Sequence, residues 1–297
     1  MGAQRGSNSN GPKNRTHLIV RHPLFLHEWG FILMTIFHGV TKHWQLVYAI
    51  TRRNILTRYR GSFLGLLWSL VTPLLRLCIY TFVFGTILSV RWPNQSGGTL
   101  DFSAVLFAGL ICHAFAAEVL VQSTNLIIGN RQYVKKVIFP LESLPWVVVL
   151  AALFQLIISS AVLVVYVFIL KAELSWTIVF LPLPFCALAL MMLAIAWVIS
   201  ATAVFVRDVS QVVDLATIGL LFLSPIFFPV SALPEMLQPF IYLNPISFIV
   251  EQVRAILLHG EMPDLVGLLQ YGVISLIACR ISLGWFQRLR PGFADVI

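Results

Sequence analysis

Between Ser62 and Val90 the chain is almost wholly apolar, with Arg76 as its one charge. A helix needs about 20 apolar residues to cross a bilayer, so this run is long enough to span. Comparable runs follow at about 102–128, 145–169, 177–205, 212–229 and 265–286. Together they predict an all-α polytopic membrane protein with six transmembrane helices. The runs are continuous and do not alternate over about ten residues, which argues against an outer-membrane barrel. Only 11% of the residues are charged, against about 25% in a soluble domain. The formal net charge of +8 is explained by cytoplasmic loops that face anionic lipid, without invoking nucleic acid.

The polar punctuation between the runs organises the chain. Residues 1–42 read as a Gly/Ser/Asn-rich cytoplasmic tail followed by an interfacial segment, with no apolar region of a cleavable signal peptide. Residues 43–60 are basic and amphipathic. At 100° per residue, Trp44, Val47, Tyr48, Ile55 and Tyr59 share a narrow arc, while Arg53 and Arg60 point away. Arg58 sits near the apolar arc and has to snorkel. A cationic helix is therefore expected on a membrane face, turning at Gly61 into the first span. A plain juxtamembrane anchor fits the same pattern. Residues 129–142 form a short basic segment closed by Pro140. From Pro229 to Gly260 the prolines at 234, 239 and 245 cut the chain into pieces too short to cross, so a re-entrant hairpin is expected at 231–258. Asn244-Pro245 reads there as an N-cap with proline at the first helical position. Residues 61–290 make one membrane domain, and 291–297 a cytoplasmic C-terminus.

Fifteen Lys and Arg residues fall on the segments that share a side with the N-terminus, against three on the other side. That excess places both termini in the cytoplasm. The cysteines Cys78, Cys112, Cys186 and Cys279 all lie within apolar runs and form no CxxC, so free thiols are expected, with no metal site.

The run RRNILTRYRGSFLGLLWSLVTPLL, from Arg52 to Leu75, resembles the permease subunits of type-2 ABC exporters, in their polysaccharide and polyol-phosphate branch. Its matching residues include Arg52-Arg53, Arg58-Tyr59-Arg60-Gly61-Ser62, Leu67-Trp68-Ser69 and Pro73-Leu74. Lys136-Val137-Ile138-Phe139-Pro140, Asn244-Pro245 and Arg290-Pro291-Gly292-Phe293-Ala294-Asp295 continue the likeness, the last in the manner of O-antigen exporters. The resemblance covers about 41–297. It implies a homodimer of six-span subunits in a bacterial inner membrane, paired with two copies of a nucleotide-binding subunit. The sequence carries no GxxxxGK[ST] phosphate loop, so MgATP is expected on that partner, with no cofactor in this chain and no enzymatic activity of its own. The implied cargo is a lipid-linked polysaccharide. Teichoic-acid, capsule and drug export are the alternatives within the class. A lipid-glycan transferase needs a carboxylate or histidine cluster on one membrane face, and the acids here are scattered.

The resemblance also assigns sites. Arg52, Arg53, Arg58 and Arg60 would form an interface helix resting on the ATPase and on lipid, with guanidinium groups suited to a lipid pyrophosphate. Tyr133, Val134, Lys135 and Lys136 would form a coupling helix, and Glu235, Asn244, Glu251 and Arg254 the outer gate. From the residues themselves, Arg76 and Glu118 stand out as intramembrane charges at depths differing by less than roughly 10 Å. They either pair to hold the fold or meet substrate. Trp68, Tyr80 and Phe84 in the first span, with Phe222 and Phe228 in the fifth, are candidates to line a sugar-stacking canal.

Overall fold

The computed structural model describes Gly2 and residues 41–87, 99–134, 139–236 and 238–296. Nearly all of the expected tail and interfacial segment, and also Lys135 and Lys136, lie outside the described residues. Among the described residues the regular elements are helical. The fold is carried by α1 (Trp44–Arg58), α2 (Trp68–Tyr80), α3 (Thr99–Thr124), α4 (Leu144–Lys171), α5 (Pro182–Thr202), α6 (Val209–Phe222), α7 (Ser247–Arg254) and α8 (Leu265–Leu289).

Among the described residues, five helical stretches are long and apolar enough to cross a membrane: Gly65–Phe84, Phe102–Thr124, Leu141–Lys171, Trp176–Thr202 and Leu265–Val296. The run expected to span at 212–229 differs. Its helix, α6, has 14 residues, about 21 Å at 1.5 Å per residue, short of the roughly 30 Å hydrocarbon core. It stops because Ser224-Pro225 follows. Proline has no N–H to donate, and it disfavours the helical conformation of the residue before it. The chain then continues to α8 in short helical pieces, and α7 starts at Ser247, two residues beyond the expected position. Asn244 does not cap α7. Its Oδ1 accepts from the N–H of Ile246 at 3.0 Å, closing a local turn.

In lipid, helices gain little by hiding apolar surface from their surroundings, so close packing decides which faces meet. Of the spanning part of α3, 67% is buried, against 17% in the stretch that contains α2. α3 is therefore the central helix, and α2 shows most of its apolar surface to lipid or to a further chain. α5 and α8 pack side by side through small residues: Ser275, Cys279 and Ser282 follow one buried stripe of α8, and α5 buries several alanines.

α1 docks on the start of α4, with Val47 and Ile50 against Val147 and the neighbouring Trp146 and Phe139. The buried face is rotated from the sequence arc, since Trp44 and Tyr48 are 51% and 58% exposed. The start of α4 offers an apolar socket to Val47 and Ile50. The aromatic edge is left outward, as suits rings at a membrane interface. Gly61, at φ +85°, makes the turn from α1 toward α2, a conformation a side chain would strain.

Candidate functional site

Pro73 lies inside α2. Proline cannot donate to the carbonyl four residues back, which leaves the Ser69 carbonyl without its helical partner. At membrane depth such a group has to be satisfied by protein. Gln155 of α4 donates to it from Nε2 at 2.9 Å. The Oε1 of Gln155 then accepts from the Tyr59 hydroxyl at 3.2 Å. The proline gap thus ties the end of α1, the first span and α4 into one polar relay. Gln155→Leu should cost about 1–3 kcal/mol, because it leaves the Ser69 carbonyl unpaired. Pro73→Ala restores the missing N–H, so the double variant should recover part of that loss in thermal melts. A double variant no more stable than Gln155→Leu alone contradicts this account.

The relay borders a cavity of about 660 Å³ between α2, α3 and α4, closed at one side by Leu221 of α6. Arg58, Tyr59, Arg76, Glu118, Gln155 and His113 give it polar walls, and Tyr80 and Phe107 contribute rings. Arg58 forms an ion pair with Glu118, whose Oε1 also accepts from Gln122 at 3.0 Å. Of the two alternatives for Arg76 and Glu118, mutual pairing is not what the structure has: Glu118 pairs with Arg58. The arginine that spoiled the apolar arc of α1 is the one that turns inward. Burial lowers the pKa of Arg58, but the hydrogen bond and charge of Glu118 outweigh that and raise it above its ordinary value. Among the described residues Arg76 has no ion-pair partner. Two guanidinium groups thus face one carboxylate, and the cavity is left with an excess positive charge suited to an anion.

His113 and Gln155 are cavity residues that the sequence reading passed over. Their signal was there: one His and one Gln, each within an apolar run, which is where polar groups tend to be functional. His113 meets the Thr217 carbonyl of α6 at 3.0 Å through Nε2. Arg52, Arg53 and Arg60 are exposed on and just after α1, outside the cavity. Among the described residues no group of His, Cys, Asp and Glu could hold a metal ion.

The aromatic candidates are only partly brought together. Phe84 packs on Phe102 and Phe227 at ring separations of 6.0 and 6.3 Å, and Phe222 stacks on Phe227 at 5.9 Å. Phe227 therefore links the two helices, and Tyr80 packs on the same cluster while also facing the cavity. Trp68 starts α2, about 24 Å along the helix from Phe84. Phe228 is half-buried outside the ring cluster.

The four gate candidates do not form one cluster. Glu235 is exposed, and Glu251 accepts from the Tyr242 hydroxyl at 2.9 Å. Arg254 is only 6% exposed and donates to three carbonyls: Val105 at 3.1 Å, Pro225 at 2.6 Å and Ile226 at 3.0 Å. Asn244 donates to the Ser224 hydroxyl at 2.8 Å. Arg254 and Asn244 thus satisfy the polar groups exposed where α6 breaks. Gly109 leaves room for this, since a Cβ there would sit 3.1 Å from Ile226 and 3.2 Å from Arg254 Nη2. Of the coupling candidates, Tyr133 and Val134 are half-buried against the main core.

The model of the family described as "ABC-2 type transporter" matches residues 45–258. The chain is 26% identical over 256 residues to the O-antigen export system permease protein RfbA of Klebsiella pneumoniae, covering 85% of this chain and 95% of that protein. The protein of the same description from Myxococcus xanthus is 25% identical over 254 residues, with coverages of 85% and 95%. The polysialic acid transport protein KpsM of Escherichia coli is 22% identical over 255 residues, with coverages of 81% and 92%.

Proposed function

This chain belongs to the ABC-2 type transporter family, and from that premise we propose that it is the membrane permease of an exporter of lipid-linked polysaccharide. The relatives are named for O-antigen export and polysialic acid transport, so a polysaccharide cargo is the common ground. In this reading an O-antigen-like glycan on a lipid carrier crosses the inner membrane. Capsular or teichoic-acid polymers are the nearest alternatives. With no phosphate loop in the sequence, the energy comes in this reading from a partner that binds MgATP; the family resemblance implies a homodimer with two such ATP-binding subunits. α1 and Arg290 at the end of α8 both meet the start of α4, so α6 and the short pieces after it together carry the chain to the other side although α6 alone is too short. In this reading both termini and α1 lie on the cytoplasmic side, where the Lys and Arg excess is found.

The observation that carries the reading is the excess positive charge of the cavity beside α1, with Arg58 and Arg76 in its wall. A lipid carrier presents its phosphate at headgroup depth, with its tail in the hydrocarbon. α2 offers that tail exposed Leu74, Leu75 and Ile79, while Arg76 on the same helix faces the cavity. Guanidinium groups bind phosphate through paired, charge-assisted hydrogen bonds, so the two arginines would hold the headgroup. Tyr80 and the rings around Phe227 continue the path, offering flat faces to the apolar C–H faces of sugars. The segments 129–142 and 231–258 take the coupling and outer-gate roles.

Affinity capture of the full chain from its host's membranes tests this. An ATP-binding subunit should co-purify, with ATPase activity that rises when a lipid-linked glycan is added. Capture without any ATP-binding protein would contradict the reading.

A further inference from the structure

The segment after α8 is built into the fold. Phe293 is fully buried, with its ring 6.0 Å from Phe205 at the end of α5 and 5.5 Å from Phe286 of α8. Gly292 passes so close that a Cβ would lie 3.1 Å from the ring of Phe205. Arg290, held in place by this anchor, reaches across to the start of α4. Its Nη1 donates to Glu142 Oε2 at 2.9 Å and its Nη2 to the Phe139 carbonyl at 3.4 Å. The backbone of Glu142 is held as well, since its carbonyl accepts from Nε1 of the buried Trp197 of α5 at 3.0 Å. Phe139 in turn stacks on Tyr133, with centroids 4.3 Å apart and ring planes at 13°. An unbroken set of contacts therefore runs from Tyr133 through Phe139 and Glu142 to Arg290, and on to α5 and α8.

We propose that Arg290 and Phe293 are positioning residues for energy coupling: they fasten Phe139–Glu142, and through it Tyr133, to the packed pair α5–α8. A displacement delivered at Tyr133 by an ATP-binding partner then moves α5 and α8 as one body. Without the strut, the short segment before α4 would absorb the push. The inference rests on the reading above of an ATP-driven permease.

The test uses the full chain in complex with its ATP-binding subunit in lipid nanodiscs. Arg290→Glu, Glu142→Arg and the double swap are compared for complex recovery, vanadate-trapped nucleotide and limited trypsin digestion of the membrane chain with and without ATP and vanadate. Arg290→Glu should assemble and trap nucleotide within about twofold of the parent. Its nucleotide-dependent change in digestion rate should fall at least about tenfold, and the double swap should restore it. A merely structural tie would lower complex recovery and leave the response of the surviving complex intact, which overturns the proposal. A double swap that assembles without restoring the response also overturns it. If Arg290→Glu does not assemble, Arg290→Gln is read in the same way, because it loses the ion pair but keeps a donor for the Phe139 carbonyl. A parent chain that assembles with no ATP-binding subunit overturns the ATP-driven reading and the strut with it. A parent complex that responds while Arg290→Glu responds equally overturns the strut alone.

Discussion

Arg76→Gln is expected to lower export at least about a hundredfold while leaving the amount of folded chain in the membrane unchanged. The two halves of that result have separate causes. Among the described residues Arg76 has no ion-pair partner, so its removal strands no buried countercharge. An arginine within a spanning helix costs about 2.5–3.5 kcal/mol on insertion scales, so the variant should insert at least as well as the parent. Its positive charge, however, faces the cavity. Arg76 is exposed in the cavity, and a bound carrier phosphate would cover it. Losing one member of a charge pair desolvated in this way costs about 2–5 kcal/mol in binding, and 3 kcal/mol is roughly two decades. Arg76→Lys keeps the charge but loses the fork, and should fall between the two. Glu118→Gln acts in another way, because it releases Arg58 and with it the hold on α1. Export assayed in cells alongside membrane protein levels separates these cases. Wild-type export by Arg76→Gln would remove the cavity from the mechanism.

The second large effect is on stability. Arg254→Met should lower the melting temperature in detergent by on the order of 10 °C. Methionine fills similar volume but donates nothing, so the Pro225 and Ile226 carbonyls lose the guanidinium that serves them. Each buried acceptor left unpaired costs about 1–3 kcal/mol. The Val105 carbonyl lies inside α3 and keeps its helical partner, so it adds less. Gly109→Ala should act in the same direction with a smaller loss, by pressing a methyl group toward Ile226 and Arg254. Melting curves for the three proteins decide the matter. If Arg254→Met melts with the parent, Arg254 does not brace the α6 break, and its role at an outer gate regains weight.

Five of the six expected spans were legible because a bilayer demands length, and length is written directly into an apolar run. The basic helix before Gly61 was legible for a similar reason, since charge and periodicity change together at Arg60-Gly61. Rotation about an axis is harder to read than position along it. Arg76 and Glu118 were placed at similar depth, and both do line one cavity. Yet Glu118 turns to Arg58, a residue 60 positions away, and only the packing of α1 on α4 determines that. The fifth run looked continuous by hydropathy. Its break at Ser224-Pro225 was signalled by the proline, but the partners that make the break tolerable, Arg254 and Asn244, lie in another segment. Gln155 was missed because it is uncharged. As the one Gln in its apolar run it was visible, but its role comes from the gap that Pro73 opens in a different helix, which the run around Gln155 does not record.

Movement of the glycan itself is the most direct test. Sealed inside-out membrane vesicles carrying the chain and its ATP-binding subunit would be loaded with a labelled lipid-linked polysaccharide on their outer, cytoplasmic face. Protection of the label from an added glycan hydrolase would then be followed over time. Protection should require ATP, the partner subunit and this chain together, and Arg76→Gln should abolish it. Label that stays fully accessible in the presence of ATP and both proteins, or that becomes protected equally without ATP, would contradict it.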